Sequence, residues 1–412
     1  MEVLIISILV VTYLIETGLT LINVANKKNP IPENVKDLYE PARYKKWINY
    51  TQTNTRFGLI TSGVNLLILL VLLVNGGALI QVLNGVSSSF ENPLIQTLIF
   101  LGLYQAISFV IGLGFSYYRT FVIEEKFGFN KTTKKVFVSD KIKQIILTAV
   151  LGGAFISGLY FLFESFQDNL LLFVVILWLS VMALFGLLSY LYTAVFVKIF
   201  YKIEPIEEGT LRTRIENLAE EVGFKVKAIS KLNASKRSSK MNAFFSGFGK
   251  QKEIVFFDTL LEKMSEDEIL AVLAHEFAHG KNKDVQRNFI QQFIMVGLFV
   301  FLIYFILSSP SLYTAFGFDG VFLGFGIILF SVLASPLNFV FGIPTMYLSR
   351  KAEYKADAFA VKMMGTDAMA NALKVLAKDS LADLNPHPLY VTFNYSHPPM
   401  HLRLGAIEKT TA

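Results

Sequence analysis

The stretch His275-Glu276-Phe277-Ala278-His279 carries two histidines four residues apart, with a glutamate directly after the first. On a helix, residues at i and i+4 project from one face, so both imidazoles can bind a single ion. Glu276 then lies beside the ion, where it can accept a proton from water that the metal activates. The motif predicts a zinc metalloendopeptidase in which His275 and His279 are ligands and Glu276 is the general base.

A catalytic zinc site needs a third protein ligand. The stretch 349–364 is expected to be helical, and Glu353 and Asp357 lie one turn apart on it. We expect Glu353 to bind the metal and Asp357 to accept the free ring N–H of a ligand histidine. A solvated pair of acidic residues beside lysines is the alternative. The metal hypothesis predicts one Zn²⁺ per chain.

The tetrahedral oxyanion of peptide hydrolysis needs a further donor or positive group. The stretch NYSHPPMHLRL (394–404) offers His397 and Arg403. The two prolines after His397 restrict the backbone, which suits a fixed donor. His401 is equally consistent with a surface histidine.

Local signals also predict the elements that position these residues. Ser265 followed by Glu268 is a capping box, which predicts a helix that begins just before the histidine motif. Gly280 is expected to end that helix. The stretch KEIVFFDTLL (252–261) predicts a strand followed by a helix.

The rest of the chain is much more apolar than a soluble domain. Its mean hydropathy is +0.50, and only 17% of its 412 residues are charged, against about a quarter in soluble domains. Apolar runs of about 20 residues predict transmembrane helices. The seven predicted spans are 3–24, 57–84, 93–117, 142–163, 170–198, 286–309 and 318–347.

The distribution of basic residues between the spans predicts the orientation. Segments 25–56 and 118–141 are rich in lysine and arginine, whereas 85–92, 164–169 and 310–317 contain neither. Basic loops remain in the cytosol, so the N-terminus is predicted outside and the C-terminus inside. The predicted domains are a membrane domain (1–198), a cytosolic catalytic segment (199–285), spans six and seven (286–347) and a second cytosolic catalytic segment (348–412).

The predicted fold class is an α-helical integral membrane protein with seven transmembrane helices. Its cytosolic zinc metalloprotease domain, mostly α with a small β element, is split between the loop joining spans five and six and the C-terminal tail. Basic loops that fix topology explain the net charge of +6 without nucleic-acid binding. The absence of cysteine excludes disulfides and thiol catalysis. Glu16, inside the first span, is either a polar cavity wall or an interfacial carboxylate.

Four stretches resemble the type I CAAX prenyl protease family, multi-span zinc metalloproteases of the gluzincin class that cleave prenylated C-termini. They are TFVIEEKFGFNKTT (120–133), MNAFFSGFGKQKEIVFFDTLLEKMSEDEILAVLAHEFAHG (241–280), SRKAEYKADAFA (349–360) and YSHPPMHLRL (395–404). The resemblance implies a membrane-tethered or prenylated peptide substrate, a lipid bilayer as the environment and a large water-filled chamber within the spans.

The same resemblance implies roles for individual residues. It makes His275, His279 and Glu353 the zinc ligands, Glu276 the catalytic base and Asp357 the group that orients a ligand histidine. Asn242 and Ala243 are implied to lie on an edge strand that holds the substrate backbone, where an extended peptide can add to the sheet; a turn packed with aromatics is the alternative. His397 and Arg403 are implied to bind the substrate or its transition state.

Phe127 stands where eukaryotic members tend to have histidine, and the outside loops are short. These departures favour a prokaryotic homologue, which would lie in the cell inner membrane; a eukaryotic protein would lie in the endoplasmic reticulum. Two other functions remain open on the sequence. One is an HtpX-like quality-control protease acting on misfolded membrane proteins, for which four spans are expected. The other is a non-catalytic multi-span scaffold or transporter with structural zinc.

Overall fold

A computed structural model describes residues 1–74, 77–130, 132–191, 201–236, 241–246, 251–380 and 383–410. Helices dominate, as predicted. The α-helices are α1 Glu2–Asn26, α2 Pro41–Leu73, α3 Gly77–Ser89, α4 Pro93–Tyr118, α5 Lys134–Leu147, α6 Gly153–Phe166, α7 Leu170–Leu191, α8 Thr210–Val222, α9 Asp258–Lys263, α10 Glu266–Lys281, α11 Asp284–Leu307, α12 Pro310–Ala315, α13 Leu323–Met364, α14 Thr366–Ser380, α15 Pro388–Asn394 and α16 Met400–Thr410. The four strands are β1 Ile203–Pro205, β2 Lys225–Leu232, β3 Ala243–Ser246 and β4 Gln251–Phe257.

The chain divides into two compact units. The first comprises residues 1–20, 46–181 and 294–340, and the second comprises residues 21–45, 182–293 and 341–412. Among the described residues, six helical runs are long and apolar enough to cross a membrane. The chain is therefore a multi-pass membrane protein, while the predicted count of seven spans is not reached by this measure.

The difference between six and seven comes from the fourth and fifth predicted spans. These fall in one run, Lys134–Leu187. Helix α6 ends at Phe166, whose φ of −129° and ψ of 16° depart from helical values. The Phe163 and Phe173 rings lie 5.8 Å apart, although ten residues of straight helix span about 15 Å. The chain therefore bends back between α6 and α7, and two separate spans remain a prediction.

Other predicted boundaries also move. The second span was expected at 57–84, whereas α2 ends at Leu73 and α3 begins at Gly77; residues 75 and 76 lie outside the described part of the chain. The end of the fifth predicted span, 192–198, lies outside the described residues. The seventh span and the helix expected at 349–364 form one continuous helix, α13.

Glu16 lines a cavity in the first unit together with Tyr13, Tyr104, Ser331 and Ser335. This placement agrees with the cavity-wall alternative for Glu16.

The second unit contains a four-stranded sheet in the order β1-β2-β4-β3. Strands β1 and β2 are antiparallel, β2 and β4 are parallel, and β3 and β4 are antiparallel. The predicted strand and helix at 252–261 are confirmed as β4 and α9. Strand β3 lies at one edge of the sheet, as the resemblance implied.

Helix α10 packs its apolar face into the core of this unit. Leu270, Leu273 and Phe277 are buried in the same cluster as Ile254 and Phe256 of β4. Burying each such side chain stabilises the fold by about 1.5–3 kcal/mol, so the histidine motif is carried on a rigid element.

Gly280 does not end α10 as expected, because the helix continues to Lys281. A Cβ at Gly280 would lie 2.6 Å from Cζ of Phe224, whose ring stacks on Phe277 at 5.1 Å. Gly280 therefore serves close packing. The left-handed residue of the turn is Lys283, with a φ of 57°.

Candidate active site

Both motif histidines project from α10 toward one point. The predicted capping box is present, with Ser265 and Glu268 bonding reciprocally at the helix start. His275 is buried and His279 is partly buried. Their Nε2 atoms lie 3.2 Å apart, so helical spacing alone brings two potential metal ligands together.

Glu353 of α13 meets this pair. Its Oε2 lies 3.5 Å from Nε2 of His275, and its Oε1 lies 3.5 Å from Nε2 of His279. Ligands held about 2.0–2.1 Å from one tetrahedral ion are about 3.3–3.4 Å from each other. The two histidine nitrogens are close to this separation, and Glu353 presents a different carboxylate oxygen to each of them. Glu353 is also buried, and its Oε2 lacks a well-aligned hydrogen-bond donor.

Carboxylates on the far side of each imidazole complete the fit. Oδ1 of Asp357 lies 2.9 Å from Nδ1 of His275, and Oδ2 of Asp284 lies 2.8 Å from Nδ1 of His279. The contact between Asp284 and His279 is an aligned hydrogen bond and favours the tautomer of His279 with the proton on Nδ1, which leaves the Nε2 lone pair free for a metal ion. Asp357 lies close to Nδ1 of His275 without an aligned hydrogen bond.

Asp284 was missed in the sequence. It is buried, and its Oδ1 forms an ion pair with Nη1 of Arg287 at 2.8 Å. The turn at Lys283 separates α10 from α11 and brings the first residue of α11 back to His279. An acidic residue five positions after the motif could have indicated a partner for a ligand histidine. If the helix of the motif had continued, however, Asp284 would have been on a different face of it from His279.

Arg403 is held between two carboxylates. Its Nε and Nη2 donate to Asp357 at 2.8 and 2.6 Å, and its Nη1 lies 3.4 Å from Oε2 of Glu353. The side chain is only 11% exposed. This arrangement favours a role in holding Asp357 and Glu353 in place over a direct contact with the substrate.

His397 has a different environment. Its Nδ1 lies 2.9 Å from Oε2 of Glu353, yet its side chain is 64% exposed. Glu276 is partly exposed on α10, one residue after His275. Both groups therefore combine proximity to the ligand set with access to solvent.

Asn242 and Ala243 lie at the free edge of the sheet. Ala243 pairs with Phe256 of β4, and the carbonyl of Asn242 accepts a hydrogen bond from the amide of Phe257 at 2.9 Å. Asn242 is exposed. Among the strands that the structure describes, β3 pairs with β4 alone.

The electrostatics show strong coupling between the histidines and the carboxylates. Burial alone lowers the pKa of His279, but its hydrogen bonds with Glu353 and Asp284 outweigh burial and raise the pKa to about 9. Burial likewise lowers the pKa of His275, and the contacts with Asp357 and Glu353 raise it above the ordinary value. A bound divalent cation must therefore displace protons from this site.

Two family models cover nearly the whole chain. The model described as the CAAX prenyl protease N-terminal region, with five membrane helices, matches residues 20–202. The model of peptidase family M48 matches residues 205–411.

Individual relatives match over most of their length. The chain is 32% identical over 415 residues to CAAX prenyl protease 1 homolog of Arabidopsis thaliana, covering 98% of this chain and 96% of the relative. It is 32% identical over 408 residues to CAAX prenyl protease 1 of Saccharomyces cerevisiae, covering 92% and 88%. The crystal structure of S. mikatae Ste24p superposes with a TM-score of 0.89 at 29% identity, covering 99% of both chains.

Proposed function

Because the chain belongs to peptidase family M48, in its CAAX prenyl protease group, we propose that it cleaves peptide bonds near the C-terminus of prenylated, membrane-tethered CAAX-type substrates. The chain is a membrane zinc metallopeptidase. We propose further that its N-terminus lies outside and that its catalytic site faces the cytosol, on the distribution of basic loops.

One observation carries the catalytic proposal. One ring nitrogen each of His275 and His279 and one carboxylate oxygen of Glu353 lie within 4.8 Å of one another, and Glu276 follows His275 directly in the chain. Three protein ligands leave one coordination position open, as in catalytic rather than structural zinc sites. This geometry disfavours a scaffold with structural zinc.

Zinc bound by these three residues would polarise the substrate carbonyl and activate the attacking water. Glu276 accepts the proton of that water and passes it to the leaving amine. His397 donates a hydrogen bond to the oxyanion, since its imidazole is both exposed and next to Glu353. Asp357 and Asp284 hold the ligand rings, and Arg403 fixes Asp357.

The substrate backbone is proposed to add to β3. Antiparallel pairing at the edge near Asn242 and Ala243 would hold the peptide extended, so that main-chain hydrogen bonds give affinity independent of sequence. The lipid attached to the substrate would then act as a membrane tether.

The quality-control alternative is less well supported. Four spans were expected for it, whereas six candidate runs occur within the described part of the chain. The match at residues 20–202 is also to the N-terminal region of CAAX prenyl proteases.

The test is metal analysis combined with cleavage of a farnesylated CAAX peptide by the purified protein. We expect about one zinc per chain in both wild type and Glu276→Gln, with cleavage by wild type alone. Glu262→Gln, an exposed glutamate on α9, is the matched control and should retain activity. Turnover by Glu276→Gln would contradict the general-base role, and equal cleavage of the unlipidated peptide would contradict the substrate class.

A further inference from the structure

Three residues on one face of α13 contact α15, α16 and the stretch that joins them. Arg350, Glu353 and Asp357 are spaced i, i+3 and i+7, so they lie along the same side of the helix. Glu353 contacts His397 at 2.9 Å, and Asp357 accepts two hydrogen bonds from Arg403. The proposed mechanism uses these two contacts but leaves Arg350 without a role.

Arg350 binds main-chain carbonyl oxygens at the end of α15. Its Nη1 donates to the carbonyl of Tyr395 at 2.6 Å and to that of Val391 at 3.1 Å, with the carbonyl of Thr392 at 3.4 Å. The carbonyl of Val391 also accepts a hydrogen bond from the amide of Tyr395 at 3.1 Å, so Arg350 adds a second donor there. A cation at the C-terminal end of a helix also complements the helix dipole. In the described part of the chain, the guanidinium thus pairs with carbonyls rather than with a carboxylate.

The carbonyl of Tyr395 is close to the oxyanion donor along the chain. Only Ser396 separates Tyr395 from His397, and the two residues that follow, Pro398 and Pro399, are buried. Proline fixes φ, and the carbonyl of Pro399 accepts hydrogen bonds from the first turn of α16. The main chain around His397 is therefore anchored by Arg350 on one side and by prolines on the other.

We propose that Arg350 is a positioning residue, which fixes the main chain at Tyr395 and thereby holds the imidazole of His397 where the oxyanion forms. The inference rests on the proposed role of His397. Arg350 itself does not touch the reacting atoms. It holds the segment that carries His397 in a fixed position against α13, the helix that carries Glu353.

The first test separates positioning from metal binding. Arg350→Met should lower kcat about 10- to 100-fold, since a displacement of about 1 Å costs on the order of 100-fold, while KM and zinc content stay near wild type. Arg350→Lys keeps the cation but not the planar fork, so it should recover part of the loss. Lys355→Met, an exposed cation on the same helix, is the matched control and should be unaffected.

A double-mutant cycle tests whether Arg350 acts through His397. If it does, Arg350→Met combined with His397→Ala is no slower than His397→Ala alone. Multiplied losses in the double variant, or a loss of zinc in Arg350→Met, would overturn the proposal.

Hydrogen exchange gives a readout that does not depend on the substrate. Arg350→Met should speed exchange in the peptide 388–403 while leaving α14 unchanged, and unchanged exchange in 388–403 would overturn the proposal. If wild type fails to cleave the farnesylated peptide, the proposed function fails, whereas this measurement still decides the role of Arg350.

Discussion

Asp284→Asn tests whether the carboxylate behind His279 sets metal affinity. Asp284 is 5% exposed and serves two partners, His279 through Oδ2 and Arg287 through Oδ1, each at 2.8 Å. Asparagine has the same shape but only one acceptor oxygen. Whichever way the amide turns, its NH₂ group faces either the Nδ1–H of His279 or the guanidinium of Arg287.

The expected effect is a zinc affinity weaker by about 10- to 100-fold, the range found when an outer carboxylate of a ligand histidine is removed. If the amide NH₂ faces Arg287 instead, a guanidinium that is 32% exposed loses a charge-assisted bond, and the fold is destabilised by about 1.5 kcal/mol, the lower end for bonds to charged groups. Zinc affinity is measured by competition with a chelator, and stability by thermal unfolding of the zinc-loaded protein.

The matched control is Asp267→Asn, which makes the same change in the first turn of α10. Asp267 is 66% exposed and pairs with Arg214, so its loss should leave zinc affinity unchanged. At saturating zinc, Asp284→Asn should regain most of its turnover, unlike Glu276→Gln. Wild-type zinc affinity together with wild-type stability in Asp284→Asn would refute the reasoning that this carboxylate holds His279.

Two further predictions concern proton linkage and packing. The pKa of His279 is raised from 6.5 to about 9 in the metal-free protein, so zinc affinity should rise with pH across that interval as the proton is lost. A zinc affinity that levels off at pH 6.5 would contradict this prediction. Metal-free protein should lose thermal stability over the same interval, because the stabilisation by charged His279 is fully present below about pH 6.5 and is lost as the pH passes about 9. Gly280→Ala should destabilise the fold by about 1–3 kcal/mol, because its Cβ would lie 2.6 Å from the ring of Phe224. An unchanged melting temperature would show that the ring can move aside.

The parts of the site that follow from local spacing could be predicted from the sequence. His275 and His279 share a face because they are four residues apart, and the capping box located the start of their helix. Glu353 was predicted by chemical need, since zinc requires a third ligand and few segments could supply it. The roles of these residues are still proposals, but the structure brings all three together.

Features that depend on the path of the chain could not be predicted. The contact between Asp284 and His279 requires Lys283 to adopt a left-handed backbone conformation, which is uncommon for lysine. The break between α6 and α7, by contrast, was expected, because the sequence places a short polar segment at 164–169 between the fourth and fifth predicted spans. The backbone of Phe166 and the approach of Phe163 to Phe173 agree with that break, although the apolar run Lys134–Leu187 counts as one candidate span.

The stretch around His397 and Arg403 shows what the surroundings of a side chain add to its residue type. Both side chains were assigned to the substrate because both can donate to an oxyanion. Their surroundings distinguish them. The guanidinium of Arg403 is buried between the carboxylates of Asp357 and Glu353, whereas the side chain of His397 is largely exposed. A buried cation held by Asp357 and Glu353 cannot turn toward a peptide without leaving those carboxylates unpaired, which is costly. We therefore propose that His397 stabilises the oxyanion, and that Arg403 contributes by fixing Asp357 beside His275.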